Sequence, residues 1–156
     1  MMDPRISRLI TQMLHRDANK FVAKMIEDSN IEKDAIATNE NQILSCQFSE
    51  LNGFKFIEFT LLCEYEINTF KGCKIVFFNE NKSHEVDSDT QEIVANYSTI
   101  SKKGICQFEA DLDETIEEWI EQQMISKIEF KIAKFLISFE NIDSEKLKSL
   151  WLLTRE

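Results

Sequence analysis

Short turns between strand-like segments constrain this chain more than any other feature of its sequence. Asn52-Gly53 separates two apolar-rich segments, residues 43–51 and 54–67. Asn-Gly in this position is typical of a two-residue hairpin turn, because glycine readily takes the positive φ that such turns require. A connection this short cannot make the crossover that parallel strands need, so the two segments are predicted to pair antiparallel.

Gly72 and Gly104 mark two further predicted reversals of the chain. Gly72 leads into an apolar run, and Gly104 lies between two more strand-like segments. A brief run from His84 to Val86 is a candidate edge strand. These segments comprise residues 73–78, 84–86, 92–100 and 105–110. Together with the first hairpin they predict one antiparallel β-meander of five to six strands across residues 43–110.

The segment before these strands is predicted to contain a helix. Asp3-Pro4 supplies an N-cap carboxylate and then a proline, whose fixed φ suits the first helical position. Apolar residues follow mostly in steps of three and four until about Glu27, so this helix carries one apolar stripe. The stripe consists of Ile6, Leu9, Ile10, Met13, Leu14, Phe21, Val22, Met25 and Ile26. Residues 28–42 lack this periodicity and are interpreted as a loop.

The chain after residue 110 is predicted to be partly helical. Residues 111–121 place Ile116, Trp119 and Ile120 on one side of a helix. Asp143 is an N-cap candidate for a terminal helix. Residues 124–139 fit either a helix or strands, and their β-branched and Phe content favours a strand over residues 127–133.

These segments predict an α+β fold built as a single domain over residues 1–156. The domain would comprise an N-terminal helix (1–27), the antiparallel meander (43–110) and a helical and strand C-terminal part (111–156). We expect the N-terminal helix and the C-terminal helices to pack on one face of the sheet.

The net charge narrows the range of partners. The chain carries 18 basic and 28 acidic side chains among 156 residues, a formal charge of −10 at pH 7. Such an excess repels phosphate backbones and anionic lipid surfaces, so nucleic-acid and membrane partners are disfavoured. Residues 1–24 hold five of the cations and two of the acids, which makes this segment +3 and the remainder −13. The asymmetry fits either a basic helix resting on the acidic body of the same chain or contact with a separate acidic partner.

Hydropathy and cysteine placement favour a cytoplasmic protein. No stretch approaches the roughly 18 uninterrupted apolar residues of a membrane span, and charges interrupt residues 1–20, unlike the apolar part of a secretory signal. The Asn-x-Ser triplets at Asn81 and Asn96 are therefore not expected to carry sugars. Four cysteines fall in apolar rows of the predicted strands and match no zinc spacing, so we expect reduced, buried thiols. These are Cys46, Cys63, Cys73 and Cys106.

One short segment combines side chains that ligate metals. His84, Asp87 and Asp89 lie within six residues, where an imidazole and two carboxylates are able to converge on a divalent ion. The same residues are typical of a solvated turn, whose Asp side chains bond to their own backbone. The metal site is therefore one of two alternatives.

The densest acidic stretch is a candidate binding surface. Six carboxylates fall within residues 111–121, namely Asp111, Asp113, Glu114, Glu117, Glu118 and Glu121. The stretch has no glycine, so it does not fit an EF-hand calcium loop. It fits either a solvated acidic helix start, which the helix dipole favours, or a docking surface for a basic partner. Phe54 and Phe56, on the less covered side of the longest strand, are predicted to extend that contact surface.

Other patterns with catalytic meaning are weak. Glu129 and Lys131 have the Glu-x-Lys spacing of metal-dependent nucleases, with an upstream acid from residues 111–113. This spacing is common by chance, and the net charge opposes a DNA substrate. Only His15 and His84 are present to activate a nucleophile. The three glycines are spread over turns, so they do not form a phosphate-binding loop.

These observations favour a non-catalytic protein-binding module over an enzyme. The acidic body predicts a basic protein partner, as an adaptor, a chaperone-like escort or an immunity-type inhibitor would have. One alternative is a protein that encloses an apolar ligand within its Phe-rich sheet. The other is a metal-assisted hydrolase that uses His84, Asp87 and Asp89. No cofactor is expected, and a homo-oligomer is compatible with the sequence.

Overall fold

The computed structural model describes residue 31 and residues 34–40, 42–98 and 102–154. The helix predicted over residues 1–27 lies outside these described residues. Within them the chain forms eleven strands and two helices, which confirms the antiparallel α+β class. The strands are β1 Ala35–Asn39, β2 Gln42–Leu51, β3 Phe54–Cys63, β4 Asn68–Thr69, β5 Cys73–Phe78, β6 Ser83–Asp87, β7 Ile93–Val94, β8 Asn96–Ser98, β9 Lys103–Asp111, β10 Lys127–Ile132 and β11 Phe135–Glu140. The helices are α1 Glu114–Glu121 and α2 Ser144–Leu153.

The first sheet has five antiparallel strands in the order β1-β2-β3-β9-β8. Its β2–β3 hairpin confirms the Asn52-Gly53 turn, since both turn residues have positive φ, 54° and 84°. β3 pairs on its other side with β9, so this strand lies at the centre of the sheet. The loop predicted over residues 28–42 is wrong for residues 35–39, because these form β1 and pair with β2.

The second sheet has four antiparallel strands in the order β11-β10-β5-β6. Its β10–β11 hairpin confirms a strand over residues 127–132 and excludes the helical alternative for that segment. Ala133, at φ 52°, begins the tight turn between the two strands. β6 pairs with β5 and lies at the end of the strand order, so the predicted edge strand around residues 84–86 is confirmed.

The predicted single meander is wrong, because neighbouring strands of the sequence fall in different sheets. β3 and β5 are not side by side; β4, between them in the chain, pairs with β7 in a separate two-stranded sheet. The Phe-bearing rows of β3 and β5 are buried against each other because the two strands lie in facing sheets. Gly104 also differs from the prediction, since it lies inside β9, paired with Tyr97, and not in the turn.

Phenylalanine rings from both sheets form the core between them. Phe59 on β3 is fully buried and contacts Phe77, Phe108 and Phe130, with ring centroids 6.2, 5.9 and 5.1 Å away. The contact with Phe130 is edge-to-face, and such contacts add to the free energy that area burial alone provides. The two Phe-rich inner faces therefore hold the sheets together.

All four cysteines are buried and have free thiols, as predicted. Burial raises the pKa of Cys46 and of Cys73 to about 12, and it also raises the pKa of Cys63 and Cys106. A buried thiol with a raised pKa stays protonated at neutral pH and is a poor nucleophile. These cysteines act as small apolar residues of the core.

Both helices begin where an aspartate caps them. The Asp113 carboxylate accepts a hydrogen bond from the Ile116 backbone N–H, and the Asp143 carboxylate accepts one from Lys146. The predicted apolar side of α1 is confirmed, since Ile116, Trp119 and Ile120 are buried in the main core. α2 buries Leu147 and Trp151 in the same core. Neither described helix has the length and apolar content needed to cross a membrane.

Candidate functional site

One side of the five-stranded sheet, here called the outer face, points away from the Phe core. Strand alternation assigns to it the side chains that do not pack between the sheets. Its members are Ile43, Ser45, Gln47, Ser49 and Leu51 of β2, Phe54, Phe56, Glu58, Thr60 and Leu62 of β3, and Ile105, Gln107, Glu109 and Asp111 of β9. The predicted contact residues Phe54, Phe56 and Asp111 all lie on this face.

The middle of the outer face concentrates like charges. Glu58 on β3 is directly opposite Glu109 on β9, and the next register pair on the outer face is Phe56 with Asp111. Like charges directly opposite each other on antiparallel strands destabilise the sheet, because their side chains are only about 5 Å apart. The sheet thus tolerates an unfavourable cross-strand pair at this position.

Asp89 joins this cluster from the segment that follows β6. Its backbone N–H donates to the Glu109 carbonyl at 2.7 Å, which places it beside β9. Partial burial, a hydrogen bond with the Asp111 carboxyl group and repulsion from Asp111 and Glu109 raise the pKa of Asp89 to about 6. We call Glu58, Asp89, Glu109 and Asp111 the acidic patch. Among ion pairs between described residues, none includes a member of this patch.

The raised pKa of Asp89 predicts a pH-dependent gain in stability when this charge is removed. The folded protein binds the proton more tightly than the unfolded chain, so the ionised carboxylate lowers stability progressively as pH rises from about 4 through about 6. Asp89→Asn should therefore raise the free energy of unfolding at pH 7 by about 0.5 to 1 kcal/mol, a value limited by solvent screening. Urea unfolding at pH 7 and at pH 3.5 measures the difference.

The matched control for this substitution is Asp87→Asn. Asp87 is exposed and lies 3.8 Å from Lys74, so its removal should change stability by only a few tenths of a kcal/mol. A gain for Asp89→Asn that is equally large at pH 3.5 would contradict the like-charge explanation.

Exposed apolar side chains border the acidic patch at the β2–β3 hairpin. Leu51 and Phe54 are cross-strand partners on the outer face and are 66% and 68% exposed. Phe56, next along β3, is half-buried beside Asp111. The face therefore offers an apolar contact directly next to a concentration of negative charge.

The other predicted acidic residues separate into two groups. Glu114, Glu118 and Glu121 are exposed along α1. Asp113 and Glu117 make internal bonds and are largely engaged within the protein. The structure therefore divides the predicted stretch, and it brings only Asp111 into the acidic patch.

Glu117 links three elements of the fold. Its carboxylate accepts hydrogen bonds from the Lys55 ammonium group of β3, at 3.2 and 3.3 Å, and from the Trp151 indole N–H of α2, at 3.3 Å. Its side chain is only 18% exposed. Hydrogen bonds to a half-buried charge contribute more to stability than those on an open surface.

Replacing Glu117 with alanine should lower the free energy of unfolding by about 1 to 3 kcal/mol. The substitution removes one acceptor that serves both Lys55 and Trp151. Thermal and urea unfolding would measure the loss, with Glu118→Ala as the control because Glu118 is exposed on the same helix. Equal effects of the two substitutions would show that Glu117 has no special structural role.

The three candidate metal ligands are not brought together. His84 Nε2 lies 2.6 Å from Asp113 Oδ2 at the start of α1, whereas Asp87 lies near Lys74 and Asp89 lies beside Asp111. Strand alternation in β6 directs His84 and Asp87 to opposite sides of the sheet. Within the described ranges, no group of three or more His, Cys, Asp or Glu side chains is arranged to hold a metal ion.

Glu129 and Lys131 are likewise bound to other partners. Glu129 pairs with Lys127 at 2.9 Å, and Lys131 pairs with Glu85 at 3.6 Å. Both residues are on β10 of the four-stranded sheet, whereas Asp111 is on the outer face of the other sheet. The predicted combination with an acid from residues 111–113 is therefore not formed.

Clefts along the described surface are lined by mixed polar and apolar side chains. One of about 490 Å³ is lined by residues that include Asn79, Asn81, Ser126 and Asn141. The Phe rings of the core, in contrast, pack against one another. The binding of an apolar ligand within the sheet stays a prediction, and neither these clefts nor the packed Phe rings support it.

Sequence reasoning missed Glu58, Glu109 and Leu51 as members of the site. Glu58 was visible as a polar residue alternating with apolar ones along β3, but its partner depends on the long-range pairing of β3 with β9. No local pattern reveals that register. Leu51 was missed because it is the last residue of a strand-like segment, directly before the Asn52-Gly53 turn.

The described chain forms an α+β domain in which two antiparallel sheets share a core that two helices complete. Comparisons with protein-family models, with curated proteins and with solved structures each find no match. The function is accordingly inferred from the geometry and charge of the surface.

Proposed function

We propose that this protein is a non-catalytic protein-binding module that receives a basic partner on its outer face. The observation that carries the proposal is the acidic patch, in which Glu58 directly faces Glu109 and Asp89 lies against Asp111. A cationic partner would relieve this repulsion, so binding would recover free energy that the free protein lacks.

Two further features support the outer face over other surfaces. The exposed Leu51 and Phe54 beside the patch provide apolar area, which supplies affinity, while the carboxylates supply steering and selectivity. Residues 25–156 carry the −13 balance of the chain, so a basic partner would meet an attractive field at long range. The scattered positions of His84, Asp87 and Asp89 give the hydrolase alternative no comparable support.

Affinity capture with charge-neutral variants tests the proposal. Tagged full-length protein and its Glu58→Gln/Glu109→Gln variant would be incubated with lysate of the source organism at 0.15 M salt, and bound proteins quantified by mass spectrometry. We expect a protein of high isoelectric point to be captured by the wild type and reduced about tenfold or more in the variant. Raising the salt to 0.5 M should also reduce the capture, because salt screens the electrostatic attraction between the partners.

The control variant is Glu118→Gln/Glu121→Gln, which removes the same charge from α1 and leaves the outer face intact. Capture by this variant should match the wild type within about twofold. Equal loss in both variants would indicate an effect of net charge alone. Capture that survives both the patch variant and 0.5 M salt would overturn the proposal.

A further inference from the structure

A cleft lies at the end of the four-stranded sheet where three connecting segments meet. These segments are the β5–β6 turn (79–82), the connection from α1 to β10 (122–126) and the connection from β11 to α2 (141–143). The Ser126 backbone N–H donates to the Phe78 carbonyl oxygen at 2.9 Å, and the Ile142 N–H donates to the Ser126 carbonyl oxygen at 3.3 Å. The cleft has a volume of about 490 Å³, within the range of about 300 to 1,000 Å³ that is typical of small-ligand sites.

The lining of this cleft is almost free of charge. Of the ten described residues that line it, nine are neutral and one, the exposed Glu80, is charged. In the whole chain, by contrast, 29% of the residues are charged. The side-chain amides of Asn81, Gln123 and Asn141 are exposed along the cleft, and each amide offers both hydrogen-bond donors and an acceptor.

Apolar side chains complete the lining. Ile125 and Ile142 are 2% and 8% exposed, and Met124 is 40% exposed. A second cleft of about 350 Å³ shares Asn79, Asn81 and Met124 with the first, so the two clefts adjoin. The surface thus offers a groove that combines amide groups with apolar contact area.

Gln123 has a backbone conformation that glycine adopts more easily. Its φ is 54°, and it directly follows the C-cap residue of α1. The Met124 N–H donates to the Trp119 carbonyl oxygen and the Gln123 N–H to the Ile120 carbonyl oxygen. These are the two bonds of a Schellman motif, in which this position is usually glycine. Gln123 therefore lowers the stability of the helix end but adds an amide to the cleft, a combination typical of binding sites.

The lining favours a neutral ligand that is rich in hydroxyl groups. A hydroxyl group both donates and accepts, so it pairs with either end of a side-chain amide. No Lys, Arg or His is among the described residues that line the 490 Å³ cleft, and the chain has a net charge of −10, so an anionic ligand is disfavoured. Peptides are commonly bound at sheet edges, in apolar grooves or by Arg clusters, whereas side chains of three connections form these walls.

We propose that this groove binds a neutral oligosaccharide. The amides of Asn81, Gln123 and Asn141 would bond to its hydroxyl groups, and Ile125 and Ile142 would contact its C–H groups. The proposal goes beyond the proposed function and does not depend on it, because no lining residue of the groove belongs to the acidic patch.

NMR titration of ¹⁵N-labelled full-length protein tests the proposal. The probes are maltose, cellobiose, lactose, xylobiose and N,N′-diacetylchitobiose, each at up to about 50 mM. We expect at least one of them to shift the backbone amide signals of residues 79–81, 123–126 and 141–144. The affinity should be the same at 0.05 and 0.5 M salt, because the ligand carries no charge to be screened.

Two results of this titration would overturn the proposal. The first is that no probe shifts these signals, or that shifts occur only elsewhere in the protein. The second is that a capped Gly-Ser-Gly-Ser peptide shifts them and none of the sugars does, which would identify a peptide site.

Replacing Gln123 with glycine should move stability and affinity in opposite directions. Glycine relieves the positive φ, so the Tm should rise by about 1 to 4 °C. Loss of the amide should raise the Kd for the bound sugar about fivefold. Ala133→Gly is the matched control, because Ala133 has φ 52° in the β10–β11 turn, away from the groove. It should raise the Tm similarly and leave the Kd within about twofold of the wild type.

Asn81→Ala removes a second amide without relieving a positive φ, and it should also raise the Kd about fivefold. Gln47→Ala is its control, since Gln47 is an exposed amide on the outer face of the other sheet. Unchanged affinity in both Gln123→Gly and Asn81→Ala, or an equal loss in Gln47→Ala, would overturn the proposal.

Discussion

Replacing Phe59 with alanine should lower the free energy of unfolding by about 3 to 5 kcal/mol, a loss typical of truncating a fully buried aromatic residue. Phe59 is fully buried at the centre of the five-stranded sheet. Its ring contacts Phe77 and Phe130 of the facing sheet and Phe108 of the neighbouring strand. Truncation removes these contacts and leaves a cavity that three rigid rings cannot fill completely.

Urea unfolding followed by circular dichroism measures this loss. Phe54→Ala is the matched control, because it makes the same chemical change five residues away on the same strand, where the ring is 68% exposed. We expect Phe54→Ala to change stability by about 0.5 kcal/mol or less. A cost below about 1 kcal/mol for Phe59→Ala would contradict the two-sheet core.

Gly72→Ala should lower the free energy of unfolding by about 2 to 4 kcal/mol, for two separate reasons. Gly72 has φ +72°, a backbone conformation that is unfavourable for alanine. A Cβ atom there would also lie 2.9 Å from Ser88 Oγ and 3.1 Å from the Thr90 carbonyl oxygen. Ser88 cannot move away freely, since its hydroxyl group donates to Thr90 O and accepts from the Cys73 N–H.

Gly53→Ala separates the two causes. Gly53 has φ +84° but no atom within 4 Å of the position that a Cβ would take. Its substitution should therefore cost only the backbone contribution, about 1 to 2 kcal/mol. Thermal unfolding of both variants gives the difference, which reports the crowding at Gly72. Equal costs would mean that the segment around Ser88 and Thr90 is not packed on Gly72 as described.

Local features of the fold could be predicted from the sequence. The Asn52-Gly53 hairpin, the buried cysteines, the capping residue Asp143 and the apolar side of α1 each depend on a few neighbouring residues. Backbone conformation and strand alternation determine such features locally. These features could therefore be predicted correctly without knowing which strands pair over long distances in the sequence.

The arrangement of strands between sheets could not be predicted in the same way. Gly72 has the positive φ of a turn, yet the chain there passes from β4 of the two-stranded sheet to β5 of the four-stranded sheet and makes no hairpin. The same alternation in β3 and β5 fits neighbouring strands of one sheet and facing strands of two. Which arrangement forms depends on the packing of Phe59 against Phe77, which is a tertiary contact.

The candidate site was predictable only in part for the same reason. Phe54, Phe56 and Asp111 were chosen from exposure and charge, and they share the outer face. Asp113 and Glu117 were chosen on the same grounds, but tertiary partners hold them: His84, and Lys55 with Trp151. Charge counted along a sequence does not distinguish a structural carboxylate from one available to a partner.

The measurement that most directly tests the acidic patch is a carbon-detected NMR titration of the Asp89 carboxyl group in the full-length protein. If four carboxylates share this face, the midpoint lies near pH 6 in the wild type and moves down in Asp111→Asn. A wild-type midpoint near the ordinary value for aspartate, about 3.9, and unaffected by Asp111→Asn would contradict the patch and the binding function inferred from it.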